Sequence, residues 1–190
     1  MLQNNVSGFF KELSEILLSI EVTDGQGASL SLDVGAEASV QMMVETKSAN
    51  RKVLLAGNGG SAAIVSHVQN DLCKATGVRA MVFTEQPLLT AMANDNGYGS
   101  VFEWPITMWA EPKDLVLTVS SSGQSENIVR GLKAAKEQGC TIITLSGFKP
   151  GNASRQLGDL NFYVPSSVYA YVETAHMALA HYVSTKAANC

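Results

Sequence analysis

Leu54-Leu55-Ala56-Gly57-Asn58-Gly59-Gly60-Ser61 is an apolar run that breaks into glycines and a hydroxyl just ahead of a helical pattern. Ser120-Ser121-Ser122-Gly123-Gln124-Ser125 does the same after the apolar run 115–119. An open parallel sheet builds anion pockets this way. Strand ends supply tight turns, helix N-termini supply unpaired backbone N–H groups, and serines add donors. Two such turns in one chain point to a phosphorylated small molecule.

Working outward, nearly continuous hydrophobic runs predict strands at 53–56, 80–83, 115–119, 141–145 and 161–164. Helical periodicity predicts helices at about 61–75, 87–93, 100–109, 126–138 and 170–187, with a short piece near 153–157. Strands that read as unbroken apolar runs suit a parallel sheet covered on both faces. The expected architecture is therefore α/β: a three-layer sandwich with a five-stranded parallel sheet flanked by helices. Ahead of it, Phe9, Phe10, Leu13, Ile16, Leu17 and Ile20 recur at helical spacing, and a second helix is expected at about 31–46. Asp24-Gly25-Gln26-Gly27 reads as the break between the two. Residues 1–50 form this helix pair, within the same domain as the 51–190 phosphate-binding part. The pair packs on its own sheet or, as the favoured use, on another subunit.

The 190 residues carry 13 Lys plus Arg and a formal charge of -4. Without a basic stripe, nucleic acid is not an expected partner. Cys73, Cys140 and Cys190 lack paired or metal-ligand spacing and suit a reducing, cytoplasmic setting. No apolar run reaches bilayer-spanning length, so no membrane partner is expected.

In the first turn, Gly59 lets a ligand approach closely, Asn58 offers an amide, and Ser61 can cap the next helix. Neither Gly-Lys-Ser/Thr nor a Gly-x-Gly-x-x-Gly spacing starts at Gly57, so no nucleotide cofactor is expected. In the second loop one hydroxyl, with Ser125 the natural candidate, caps the following helix. The remainder of Ser120, Ser121, Ser122 and Ser125, with Ser61, can hold a phosphate through neutral donors. His67 and Asp71 stand four apart on one helix face and can chelate a divalent metal or act together on a proton. On the last helix Glu173 and His181 lie about 80° apart in projection, whereas His176 is turned away and reads as a packing residue. Eight residues make about 12 Å of rise. Glu173 and His181 therefore share one ion only if one of them comes from a neighbouring subunit.

These motifs, taken with Ala93-Asn94-Asp95-Asn96-Gly97, resemble the sugar-isomerase (SIS) domain family, and within it the phosphoheptose (sedoheptulose 7-phosphate) isomerases. The likeness spans nearly the whole chain. It implies a flavodoxin-like fold, a homotetramer with active sites at subunit interfaces, and an aldose–ketose isomerase of carbohydrate metabolism. It also implies that Ser61, Ser120, Ser122 and Ser125 hold the sugar's phosphate, with Asp95 near the sugar. By the same resemblance His67, Asp71, Glu173 and His181 are metal ligands, zinc being the expected ion, and Asp71, Glu173 and His181 carry the proton transfer. Asp71 stands where the family has Glu, and Glu173 where it has Gln, so either carboxylate can be the base. The family's Arg-rich continuation after Lys74 is replaced by Ala75-Thr76-Gly77-Val78, and Ala170 replaces an acid. Some relatives with this fold lack catalytic residues and bind the bacterial replication initiator; a role of that kind, or sensing a sugar phosphate without turnover, is open to this chain. That is the alternative reading.

Overall fold

The computed structural model describes residues 5–190. In chain order the elements are α1 (Val6–Leu18), β1 (Glu21–Asp24), β2 (Ser29–Leu30), α2 (Leu32–Ser48), β3 (Lys52–Gly57), α3 (Gly60–Asp71), β4 (Arg79–Val82), α4 (Gln86–Asn96), α5 (Glu103–Trp109), β5 (Leu115–Ser120), α6 (Glu126–Glu137), β6 (Thr141–Ser146), β7 (Leu160–Tyr163) and α7 (Tyr169–Ala188). A single π-helical turn, Leu72–Thr76, continues α3 beyond Asp71.

Strand order is β2-β1-β7-β6-β5-β3-β4. The five expected strands form the parallel block β4-β3-β5-β6-β7. Numbered within that block, the order is 2-1-3-4-5, the flavodoxin-like winding that reverses direction beside its first strand. Alternate residues feed two cores. Val53, Leu55, Leu115 and Leu117 pack toward α2, α3 and α7, while Leu54, Ala56 and Val116 pack toward α4, α5 and α6.

The sheet is wider than the sequence suggested, and it is mixed. β1 and β2 form a hairpin, and β1 adds antiparallel to β7 with Val22 opposite Phe162. The stretch read as a break between helices is this hairpin's turn. The Asp24 Oδ1 accepts from the N–H groups of Gln26 (2.9 Å) and Ala28 (2.8 Å), and Gly27 takes a positive φ of 82°. Asp is suited to such a turn because its side chain mimics the backbone carbonyl. Strands of four and two residues are too short to show a period of two.

The two N-terminal helices behave differently. Ser31 caps α2, its Oγ accepting from Val34 N–H, and α2 buries Ala36, Val40 and Met43 on its own sheet. Helix α1 buries no residue fully. Its Phe9 stacks on Tyr171 of α7 at 4.8 Å, while Phe10 and Leu18 remain 61% and 79% exposed.

Candidate active site

The carboxyl ends of β3 and β5 lie side by side at the point where the strand order reverses, with Gly57 in register with Val119. Ligands in open α/β sheets settle in the crevice at such a point. A side chain at Gly57 would bring its Cβ to 2.7 Å from the Ser61 carbonyl oxygen. Only glycine lets the strand end meet the first turn of α3 so closely. The two loops and the start of α7 enclose a polar cavity of about 90 Å3, lined by Asn58, Ser61, Ser120, Ser121, Ser122, Ser125, Tyr169 and Glu173. A volume this far below the ~300–1,000 Å3 of a whole-ligand pocket is sized for one end of a ligand.

The hydroxyls divide into structural and available ones. Ser120 Oγ accepts from Gly123 N–H and Ser122 Oγ from Gln124 N–H, both at 3.2 Å, shaping the loop. Ser61 is not the cap of α3. Gly59 holds that position at φ 54°, and Ser61 lies buried in the first turn, facing the cavity. Ser125 occupies the cap position of α6 but makes no capping hydrogen bond. Ser121 Oγ is buried without a hydrogen-bond partner among the described residues. A buried hydroxyl left unpaired in a serine-lined cavity is available to donate to a ligand oxygen.

Asn58 is held by two residues the sequence reading did not single out. Its carboxamide exchanges two 2.9 Å hydrogen bonds with that of Asn127, and Tyr98 Oη donates to its Oδ1 at 3.0 Å. Asn127 was legible only as a residue two positions beyond Ser125; Tyr98 carried no local signal.

A second constellation stands farther along the same helices. His67 Nε2 lies 3.5 Å from Asp71 Oδ1, and His181 Nδ1 lies 3.3 Å from Asp71 Oδ2. The imidazole rings meet edge-on, their centroids 4.6 Å apart. Ser184, one turn beyond His181, donates to Asp71 Oδ2 at 3.2 Å. One donor atom from each of His67, Asp71 and His181 falls within 4.8 Å of the others. Metal–ligand bonds of about 2.0–2.2 Å place neighbouring zinc ligands a little over 3 Å apart. The set fits a divalent ion with small rotamer adjustments, and three protein ligands leave a coordination position open, as catalytic sites do.

Glu173 is not in this group. It lines the serine cavity, its carboxylate pressed against Gly60, where an added Cβ would sit 2.6 Å from Oε1. Helices α3 and α7 run side by side in the same direction, Gly60 meeting Glu173 near one end and Asp71 meeting His181 and Ser184 toward the other. With 1.5 Å of rise per residue, Glu173 and His181 are separated by about 12 Å along α7. Asp95 is exposed near the end of α4, bonded to Asn94 at 2.7 Å, and lines neither group. His176 is fully buried, 3.1 Å from the Ser146 carbonyl oxygen, and burial lowers its pKa to about 4. The imidazole is neutral and structural.

The family profile of the SIS domain matches residues 29–147. The phosphoheptose isomerase of Syntrophotalea carbinolica is 37% identical over 150 residues, which cover 75% of this chain and 76% of that protein. The phosphoheptose isomerase of Aliarcobacter butzleri is 34% identical, with 76% and 79% covered. Among solved structures, the phosphoheptose isomerase from Neisseria gonorrhoeae superposes with a TM-score of 0.85 at 26% identity, over the full length of both chains.

Proposed function

The chain belongs to the SIS-domain family, in its phosphoheptose-isomerase-like branch, and on that premise we propose that it interconverts sedoheptulose 7-phosphate and the corresponding aldose phosphate. The activity class is sugar-phosphate isomerase. The observation that carries the reading is the pairing of a serine-lined anion cavity with a His–Asp–His cluster on the same two helices.

In this account the serine hydroxyls and the first-turn N–H groups of α3 and α6 hold the phosphate and fix the sugar chain's direction. His67, Asp71 and His181 would hold the divalent ion, zinc being the ion that suits two imidazoles and a carboxylate. A bound ion would polarise the sugar's carbonyl and hydroxyl oxygens. Asp71 is already engaged by both histidines and Ser184, whereas Glu173 has no hydrogen-bond partner among the described residues. That leaves Glu173 as the carboxylate free to act as base. It takes a proton from C1 of the ketose while His181 protonates the C2 oxygen, giving an enediol. The C1 hydroxyl then loses its proton to His181, and Glu173 returns one to C2, which yields the aldose.

The ~12 Å between Glu173 and His181 on one helix is beyond hydrogen-bond reach. We therefore assign the two halves of each site to different copies of the chain in a homo-oligomer, for which the family's tetramer is the expected form. Helix α1, with its exposed Phe10 and Leu18, and α7, with its exposed Tyr169 and Tyr182, are surfaces available for such packing. Three unpaired cysteines suit a cytoplasmic setting. The test is turnover of sedoheptulose 7-phosphate by metal-depleted protein, before and after adding zinc, with His181→Ala as control. Zinc-restored turnover that is lost in the control is expected. A folded, zinc-loaded protein that leaves the sugar unchanged would overturn the assignment.

A further inference from the structure

Asn58 has a side chain whose ends look alike in outline but differ in chemistry: a carbonyl that accepts and an amino group that donates. Which end faces the cavity decides what the site recognises there. The backbone settles the orientation. Ile128 N–H, in the first turn of α6, lies 3.0 Å from the Asn127 side-chain atom assigned as Oδ1. A backbone N–H can only donate, so that atom must be the oxygen. The Asn58 atom 2.9 Å from the same oxygen must then be its nitrogen, and the Asn58 atom facing Asn127 Nδ2 must be its oxygen. Tyr98 Oη donates to that oxygen as well, so both of its lone pairs are used. One N–H of the Asn58 amino group goes to Asn127. The other has no acceptor among the described residues, on a side chain that lines the serine cavity.

We infer that Asn127 and Tyr98 are positioning residues that lock the Asn58 carboxamide with its free N–H toward the cavity. Asn58 thereby recognises an oxygen of the bound sugar phosphate that accepts a hydrogen bond. Asn127 is 2% exposed, and its side chain ties the β3–α3 loop to the start of α6. Tyr98 is 54% exposed and reaches in from the segment after α4. One oxygen thus joins three separate segments at the ligand's edge. The inference rests on the sugar-phosphate reading of the cavity, and it adds the polarity of one contact and the two residues that set it.

The readout is the side-chain amide spectrum of 15N-labelled wild-type protein titrated with sedoheptulose 7-phosphate, assigned with Asn58→Asp. One proton of the Asn58 amino group should shift on binding, while the proton bonded to Asn127 stays near its free position. In Tyr98→Phe, at an exposed site where folding is not at issue, the two Asn58 protons should lose part of their separation. KM should rise about three- to tenfold with kcat within twofold, since the lost bond orients a binding group. Asn127→Asp keeps an acceptor but cannot donate to Asn58 Oδ1, and it should weaken binding further. Saturable binding that moves neither Asn58 proton, or a Tyr98→Phe protein with unchanged KM, would overturn the lock while leaving the sugar-phosphate reading standing. Absence of any binding to the wild type would remove that reading, and this inference with it.

Discussion

Asp71 and Glu173 carry the same functional group in settings that call for opposite chemistry. Asp71 is pinned by three neighbours, which suits a ligand whose geometry must not change; Glu173 is unpinned beside a serine cavity, which suits a group that takes and returns a proton. His176 shows what burial does to a titratable group with no such task. Its folded pKa of about 4 lies below the ordinary 6.5, so between those values the unfolded chain binds the extra proton and the folded chain does not. Stability from this group is therefore fully present above pH 6.5 and is lost as the pH falls toward 4, by about 3 kcal/mol in all. Urea unfolding of the wild type and His176→Gln across that range measures it. The wild-type curve should fall more steeply with acid, so that the two proteins converge; parallel curves would refute the assignment.

At the scale of elements, the loops after β3 and β5 use glycine for different reasons, and the difference can be measured. Gly59 and Gly123 both adopt positive φ, 54° and 60°. Nothing lies within 4 Å of a Cβ added at Gly59, whereas one at Gly123 would run into the Asn152 side chain. Asn152 cannot step aside. Its Nδ2 donates to Ser146 Oγ at 3.0 Å and to the Lys149 carbonyl at 2.9 Å, and its Oδ1 accepts from Arg155 N–H at 3.0 Å. Gly59→Ala, with φ 54° and ψ -123°, should cost backbone strain alone, about 1–3 kcal/mol, and Gly123→Ala should cost its strain plus about 1–3 kcal/mol of overpacking. Thermal unfolding of the two variants would separate them, and equal losses would contradict this account. The parallel strands, the two loops and the His67–Asp71 pair were legible because each is written in contiguous residues or in helical spacing. The β1–β2 hairpin was not, since a strand of four residues and one of two fall below the length at which alternation can be read. Asn127 and Tyr98 were illegible for another reason: their role depends on which distant carboxamide they face. The distance between Glu173 and His181 was legible from helical rise alone, and in the structure the two residues stand apart, Glu173 at the serine cavity and His181 in the His–Asp–His cluster.

For the whole molecule, that division is the organising fact. The anion cavity sits at one end of the α3–α7 pair and the His–Asp–His cluster toward the other. The cavity half carries Glu173 but not His181, the cluster half His181 but not Glu173, and α1 leaves large apolar side chains in solvent. The proposed homo-oligomer reconciles these features, with copies packed so that the cavity of one meets the cluster of another. The measurement that tests this most directly is complementation between two variants. Ser122→Asp puts a negative charge into the phosphate seat, and His181→Ala removes a group from the cluster. Each alone should fail to turn over sedoheptulose 7-phosphate. If the proposed oligomer forms, co-expression gives mixed assemblies in which some sites combine an intact cavity from one copy with an intact cluster from the other, and a substantial fraction of wild-type activity should return. Mixed oligomers as inactive as either parent, beside an active wild type, would contradict the shared site.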